Sequence, residues 1–304
     1  MAQLLPTFSW KLDLDYEANT LGHGEMNDTA SEWLEYKLVV FPLMMLVTLC
    51  GLVGNGVVFW LLCFHVRSCP YATYILNLAV ADIINLSCIA VILLEEVLLL
   101  YHEVTLHVAI FLEPVSYFSD TVGLCLLTAI SAESSLCILF PNCCCHRPKH
   151  TSAVVSVLSW GLALSLHMVN EICDYWENGL ACDSFHEGFV IFHTLIFLLM
   201  CMSSLALTIH SLRCFQRCSL ARIYHVVRIM IITFLLWGLP LVVIMFLPEQ
   251  EYLTLTFDLL LLLSSMVSTA HPVVYILTGC FRRKRRKESL KIILQRALMS
   301  DMET

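Results

Sequence analysis

The residues Glu113, Ser116, Tyr117 and Asp120 offer the first chemistry, with the last three spaced 3, 4 and 7 positions from Glu113. On a helix they share one face. An ionisable group inside an apolar run is costly and points to function, and acids with hydroxyls on one face read as the wall of a ligand cavity. Asn55, Asp82 and His271 interrupt three other apolar runs and are expected to converge as a polar cluster, the alternative being that each is satisfied separately in the core. Glu133 is a further acid in such a run, expected to bond to Ser134 or to be protonated. No nucleophile–base pair or phosphate-binding loop accompanies these groups. Cys143, Cys144, Cys145 and His146 are adjacent, and three consecutive cysteines cannot wrap one tetrahedral zinc. The chemistry is that of binding, not of an enzyme, with no metal and no cofactor expected.

What must position these groups follows from composition. Of 304 residues 59% are hydrophobic and 14% charged, with a mean hydropathy of +0.79, whereas a soluble domain keeps roughly a quarter of its residues charged. A soluble enzyme and a disordered chain are both excluded. A spanning helix needs about 20 apolar residues, and seven such runs occur, at 38–64, 72–100, 107–139, 153–173, 188–211, 223–247 and 253–278. The expected fold is an all-α membrane protein, a seven-transmembrane helix bundle. The division is a tail over 1–36, the bundle over 37–279, and a terminal segment over 280–304.

Charge sets the orientation, because short cytoplasmic loops hold the Lys and Arg excess. Fourteen of the 17 basic residues fall between spans one and two, three and four, five and six, or after span seven, and Arg228 lies on the same side one turn into span six, while 15 of the 25 acids fall on the opposite side. The N-terminus is therefore expected outside, in a multi-pass protein of the plasma membrane. The net charge of -8 resolves into an acidic mouth and a basic underside. Nothing in residues 1–36 reads as a cleaved signal peptide.

Only two of the 15 cysteines, Cys173 and Cys182, fall at the outer boundary. Only the outside is oxidising, so these two are expected to be disulfide-bonded and the others to be thiols. Asn27-Asp28-Thr29 is an outward sequon, whereas Asn85-Leu86-Ser87 lies inside a span. Beyond Cys280, a candidate for lipidation, Leu290, Ile293, Leu294, Ala297 and Leu298 recur at helical spacing among Arg and Lys. This predicts an amphipathic helix on anionic inner-leaflet lipid.

Gly54-Asn55-Gly56, the run Asn77 to Asp82, and Trp160 are similar to landmarks of rhodopsin-like G-protein-coupled receptors. Ala129 to Glu133, Phe140-Pro141, His146 to Ser152, Phe234 to Pro240 (including Trp237), Lys287 to Lys291 and Leu294 to Leu298 resemble the Mas-related receptors, Mas and Mas-like members most closely. The likeness runs from about residue 38 to 300. It implies a receptor with a heterotrimeric G protein and arrestin as partners and no nucleic acid. The Cys173–Cys182 pair resembles that family's substitute for the usual disulfide to span three. In the family, acids at the outer ends of spans four and five receive cationic ligands. Glu171 matches the first with a one-residue shift, and His186 or Glu187 stands at the second, with Asp183 nearby.

Two departures bear on signalling. The family's Glu-Arg-Cys after span three reads Glu133-Ser134-Ser135, and Asn-Pro-x-x-Tyr in span seven reads His271-Pro272-Val273-Val274-Tyr275. Serine cannot do what the switch arginine does, and an imidazole faces the Asp82 region where many relatives hold sodium. The expectation is a receptor for a cationic peptide or amine that signals through a G protein as span six moves about Pro240. The alternative is a signalling-poor or decoy seven-transmembrane protein. A transporter is disfavoured, because the halves do not repeat. Glu95, Glu96 and Asp258 add carboxylates at the height of the ligand wall, Glu95 and Glu96 being expected to face water.

Overall fold

The computed structural model describes residues 25–64, 71–102, 107–139, 150–176, 180–213, 226–233, 235 and 253–280. The helices are α1 (Glu25–Phe64), α2 (Ala72–His102), α3 (Ala109–Leu139), α4 (Thr151–Trp176), α5 (Leu180–Arg213), α6 (helical over 226–233) and α7 (Leu253–Cys280). Six of them are long and apolar enough to cross a membrane. Most of the sixth expected span, including Trp237 and Pro240, lies outside the described residues, as do the tail before 25 and the segment after 280.

Only helices and closed barrels satisfy every backbone group within hydrocarbon, so these apolar runs become helices. Their burial shows which faces meet. Along α1 the buried positions are Phe41, Met44, Thr48, Gly51, Asn55, Val58, Leu61 and Leu62, while Val39, Leu43, Leu46, Val53, Val57 and Trp60 are exposed. The 3–4 spacing of the buried set is one helix stripe. The exposed set is apolar, as suits a face turned to lipid rather than water. α4 and α5 repeat this with Val154, Val157 and Leu158, and with Ile191, Leu195 and Leu198, turned outward.

α1 begins at Glu25, well before the first expected span. Residues 25–37 contain no Gly or Pro, so nothing in the sequence breaks the helix there. At 40 residues and 1.5 Å per residue, it is roughly 60 Å long, about twice the hydrocarbon thickness. The excess extends past one end of the bundle. That end, which also carries Cys173 and Cys182, is called upper below.

Glycines allow α1 and α7 to meet closely. A Cβ on Gly54 would lie 2.8 Å from Cγ and 3.1 Å from Cβ of Pro272, and one on Gly51 would collide with Thr269 and Leu86, whereas one on Gly56 would meet nothing. The Pro272 ring cannot yield. We expect Gly54→Ala to destabilise by about 1–3 kcal/mol, while Gly56→Ala should stabilise by roughly 0.5–1 kcal/mol through lost unfolded-state freedom. Thermal unfolding of the detergent-solubilised variants checks both signs.

Candidate ligand and switch sites

Pro272 also explains a long-range hydrogen bond. Lacking an N–H, proline leaves the carbonyl four residues earlier without its helical donor, and that carbonyl belongs to Ser268. Asn55 Nδ2 supplies the missing hydrogen at 2.9 Å, and also reaches Gly51 O at 3.1 Å. One turn lower, His271 Nδ1 lies 2.7 Å from Asp82 Oδ2, both side chains being buried. Asn55 therefore reaches α7 three residues before His271, bonding backbone while Asp82 bonds the imidazole.

Above this pair stands a second polar centre. Asn85 Nδ2 donates to Asp120 Oδ1 at 2.6 Å and to Ser264 Oγ at 2.7 Å, with Ser268 Oγ a longer 3.3 Å away. Ser264 Oγ donates to Asp120 Oδ2 at 2.8 Å, and Ser116 Oγ donates to Asn85 Oδ1 at 2.5 Å. An amide has two hydrogens, so the two short donor contacts use both, while its oxygen accepts from Ser116. α2, α3 and α7 are tied at this level, and Asp120 has both oxygens engaged by protein groups. Of the four residues spaced along α3, Ser116 and Asp120 join this network, while Glu113 and Tyr117 are half-buried nearer the upper end.

The centre was not anticipated, although its signal is periodic. Asn85 follows Asp82 by three, Asp120 follows Ser116 by four, and Ser264, Ser268 and His271 are spaced by four and three. Three polar stripes thus face one another along the bundle axis.

At the upper end, Cys173 and Cys182 are disulfide-bonded across nine positions with Cα atoms 5.4 Å apart, which joins the end of α4 to the start of α5. Glu171 precedes Cys173 by two residues and Glu187 follows Cys182 by five, and both are exposed. The side chains of Asp183 and His186 lie outside the described residues. Cys137, in the last two turns of α3, is also disulfide-bonded. This corrects the expectation that only one pair is oxidised.

Glu95 departs from expectation too. It is 8% exposed, and its Oε2 accepts the N–H groups of Val108 and Ala109 at 3.0 and 2.9 Å. It thus caps the first turn of α3, where four N–H groups have no helical partner, rather than facing water. Glu96 pairs with Lys37 at 3.6 Å.

Deeper, between α3, α4 and α5, His167 Nε2 contacts Thr121 Oγ1 at 2.8 Å. Around it, the Phe118 ring lies tilted against Trp160, and Phe189 lies against both His167 and His193. Trp160 Nε1 donates to Asn77 Oδ1 at 3.0 Å, linking α4 to α2.

At the lower end Glu133 Oε2 accepts from Tyr74 Oη at 3.1 Å, a partner on another helix that local sequence does not reveal. Ser134 is fully buried, and its Oγ has no hydrogen-bond partner among the described residues. Ser135 Oγ donates to Ser131 O at 2.8 Å and lies 3.2 Å from Ser203 O on α5. Tyr275, below His271, is buried. The side chains of Asn27 and Cys280 lie outside the described residues. Among the described residues no group of His, Cys, Asp and Glu could hold a metal ion.

Long apolar helices with lipid-suited outer faces and a polar axial column define a polytopic helical membrane protein. Comparison with known proteins takes the assignment further. The chain is 42% identical over 292 residues to the human Mas-related G-protein coupled receptor MRG, which covers 95% of this chain and 77% of that protein. It is 37% identical over 288 residues to human Mas-related G-protein coupled receptor member X1, covering 90% and 87%, and 37% identical to rat member D over 284 residues, covering 86% of each. No family model matches. The chain belongs to the Mas-related G-protein-coupled receptor family, whose members are receptors and not enzymes.

Proposed function

We propose that this chain is a plasma-membrane receptor, its upper end extracellular, that takes a cationic peptide or amine in an acidic vestibule and signals through a heterotrimeric G protein. The observation that carries the reading is the charge of the upper end: Glu96, Glu113, Glu171, Glu187 and Asp258 gather there against one basic side chain of Lys or Arg type, Lys37, among the described residues. The basic loops and tail favour the opposite side as cytoplasmic.

The disulfide supports Glu171 and Glu187 as the first ligand contacts, since it fixes their helix ends together, with Asp183 between them in sequence. Glu113 and Tyr117 continue the wall downward, and Asp120 forms its floor through the Asn85 network. A ligand that prefers one arrangement of α2, α3 and α7 at this floor would shift the bundle toward it. The column from Asp120 to the Asp82–His271 pair connects that floor to the lower half. Arrestin contact and a membrane-bound helix after Cys280 fit the same orientation, as does glycosylation at Asn27.

Long-range attraction between acids and a basic ligand is screened by salt, the Debye length falling from about 10 Å at 0.1 M to about 3 Å at 1 M. Affinity for basic peptides should therefore fall as salt rises. Glu171→Gln/Glu187→Gln should weaken binding at least tenfold and flatten the salt dependence. Affinity indifferent to both salt and this double substitution would refute the acidic vestibule.

A further inference from the structure

Asp258 differs from the other upper-end carboxylates. It is only 6% exposed, yet its Oδ2 has no hydrogen-bond partner among the described residues. Its neighbours Phe257, Leu261 and Leu262 pack with Phe41, Met44, Ile92, Leu93 and Val97 of α1 and α2. Burying a polar oxygen without a donor in such surroundings is costly, and for a carboxylate the natural remedy is a cation.

Asp258 lies in the electrostatic field of Lys37 from α1 and Glu96 from α2, and the Tyr36 hydroxyl of α1 lies in the field of Asp258. Lys37 Nζ stands 3.6 Å from Glu96 Oε2 and 5.3 Å from the centroid of the Phe41 ring. Glu113 of α3 shares the field of Glu96. One ammonium thus serves two carboxylates, Glu96 and Asp258, and its one ion pair among the described residues is longer than the roughly 2.7–2.9 Å of a tight charge-assisted hydrogen bond. A carboxylate pair beside an aromatic face is a set of groups that binds an ammonium, and a loosely held lysine is the group an arriving cation can replace.

We propose that the upper ends of α1, α2 and α7 form a second binding site for an ammonium or guanidinium group, with Asp258 and Glu96 as its carboxylates and Phe41 as its aromatic face. Lys37 is a tethered occupant that the ligand's cation displaces. The proposal rests on the reading of the upper end as receptive to cations, but it uses helices away from Glu171 and Glu187.

The test titrates purified receptor in nanodiscs with n-butylammonium at constant ionic strength, reading saturable thermal stabilisation, since a ligand bound to the folded state alone stabilises it. Removing the occupant in Lys37→Met should tighten apparent affinity at least tenfold, and adding Asp258→Asn should abolish the saturable response. In the unmodified receptor, acetylation of Lys37 by a water-soluble acylating reagent, followed by mass spectrometry, should accelerate as n-butylguanidinium, which the reagent does not acylate, is added and stay constant with n-butanol. The second measurement needs no variant to fold. Unchanged acetylation, or a Lys37→Met response that survives Asp258→Asn, overturns the site. Peptide titration of Glu171→Gln/Glu187→Gln reads the other contacts, so the two readings can fail separately.

Discussion

Replacing His271 with Leu should lower the stability of the solubilised receptor by about 3–5 kcal/mol, the cost of leaving a buried carboxylate without its partner. His271 and Asp82 are each 4% exposed and share a 2.7 Å contact. Leucine fills much the same volume, so the loss comes from the carboxylate left behind rather than from a cavity. An ordinary hydrogen bond between membrane helices averages only about 0.6 kcal/mol, which could not produce a loss of that size. His271→Asn keeps a donor toward Asp82 and should cost clearly less. Asp82→Asn/His271→Leu should lose less than the sum of the single changes, because no unpaired carboxylate remains. Thermal unfolding of the four proteins gives the coupling directly, and additive losses would mean that the contact is not energetically coupled.

Asn85→Leu should be the next most damaging change, at about 3 kcal/mol. Its largest part is the hydrogen bond to the Asp120 carboxylate, worth roughly 1.5–3 kcal/mol as a bond to a charged group. The bonds with Ser264 and Ser116 add a few tenths each on the scale of neutral bonds within membranes. Asn85→Ser retains a short donor and should lose less, whereas Asn85→Asp sets a second carboxylate against Asp120 and should lose more. Because the side chain ties α2, α3 and α7, the same variant should also weaken binding of basic peptides while leaving Glu171 and Glu187 in place. Unfolding midpoints and peptide titrations, read together, separate these effects. Full stability with Asn85→Leu would remove the network from the account.

Much of the framework was legible because hydrocarbon imposes one rule on every span. The apolar runs at 72–100, 107–139 and 253–278 match α2, α3 and α7 to within two residues at either end. The Cys173–Cys182 bond and the meeting of Asp82 with His271 were also readable, the first from position and the second from ionisable groups in apolar runs. Glu95 was not, since capping of α3 depends on the path of the chain at Val108, where no periodicity applies. Glu133 was read against its neighbour Ser134, but its partner Tyr74 lies 59 positions away. Asn85 was visible only as an unusable sequon, although its place three residues from Asp82 carried the information. The start of α1 was missed because length in a spanning segment was read from hydropathy, and helix needs no apolar sequence once it has left the membrane.

The most direct measurement is guanine-nucleotide exchange on a panel of purified heterotrimeric G proteins, catalysed by the receptor in nanodiscs and challenged with basic peptides. The account predicts that at least one basic peptide accelerates exchange by the unmodified chain, despite Ser134. It also predicts that Glu171→Gln/Glu187→Gln shifts the required peptide concentration upward at least tenfold without abolishing the maximal rate. Exchange that no basic peptide accelerates, in a receptor shown to bind those peptides, would contradict signalling; acceleration unaffected by the double substitution would contradict the site.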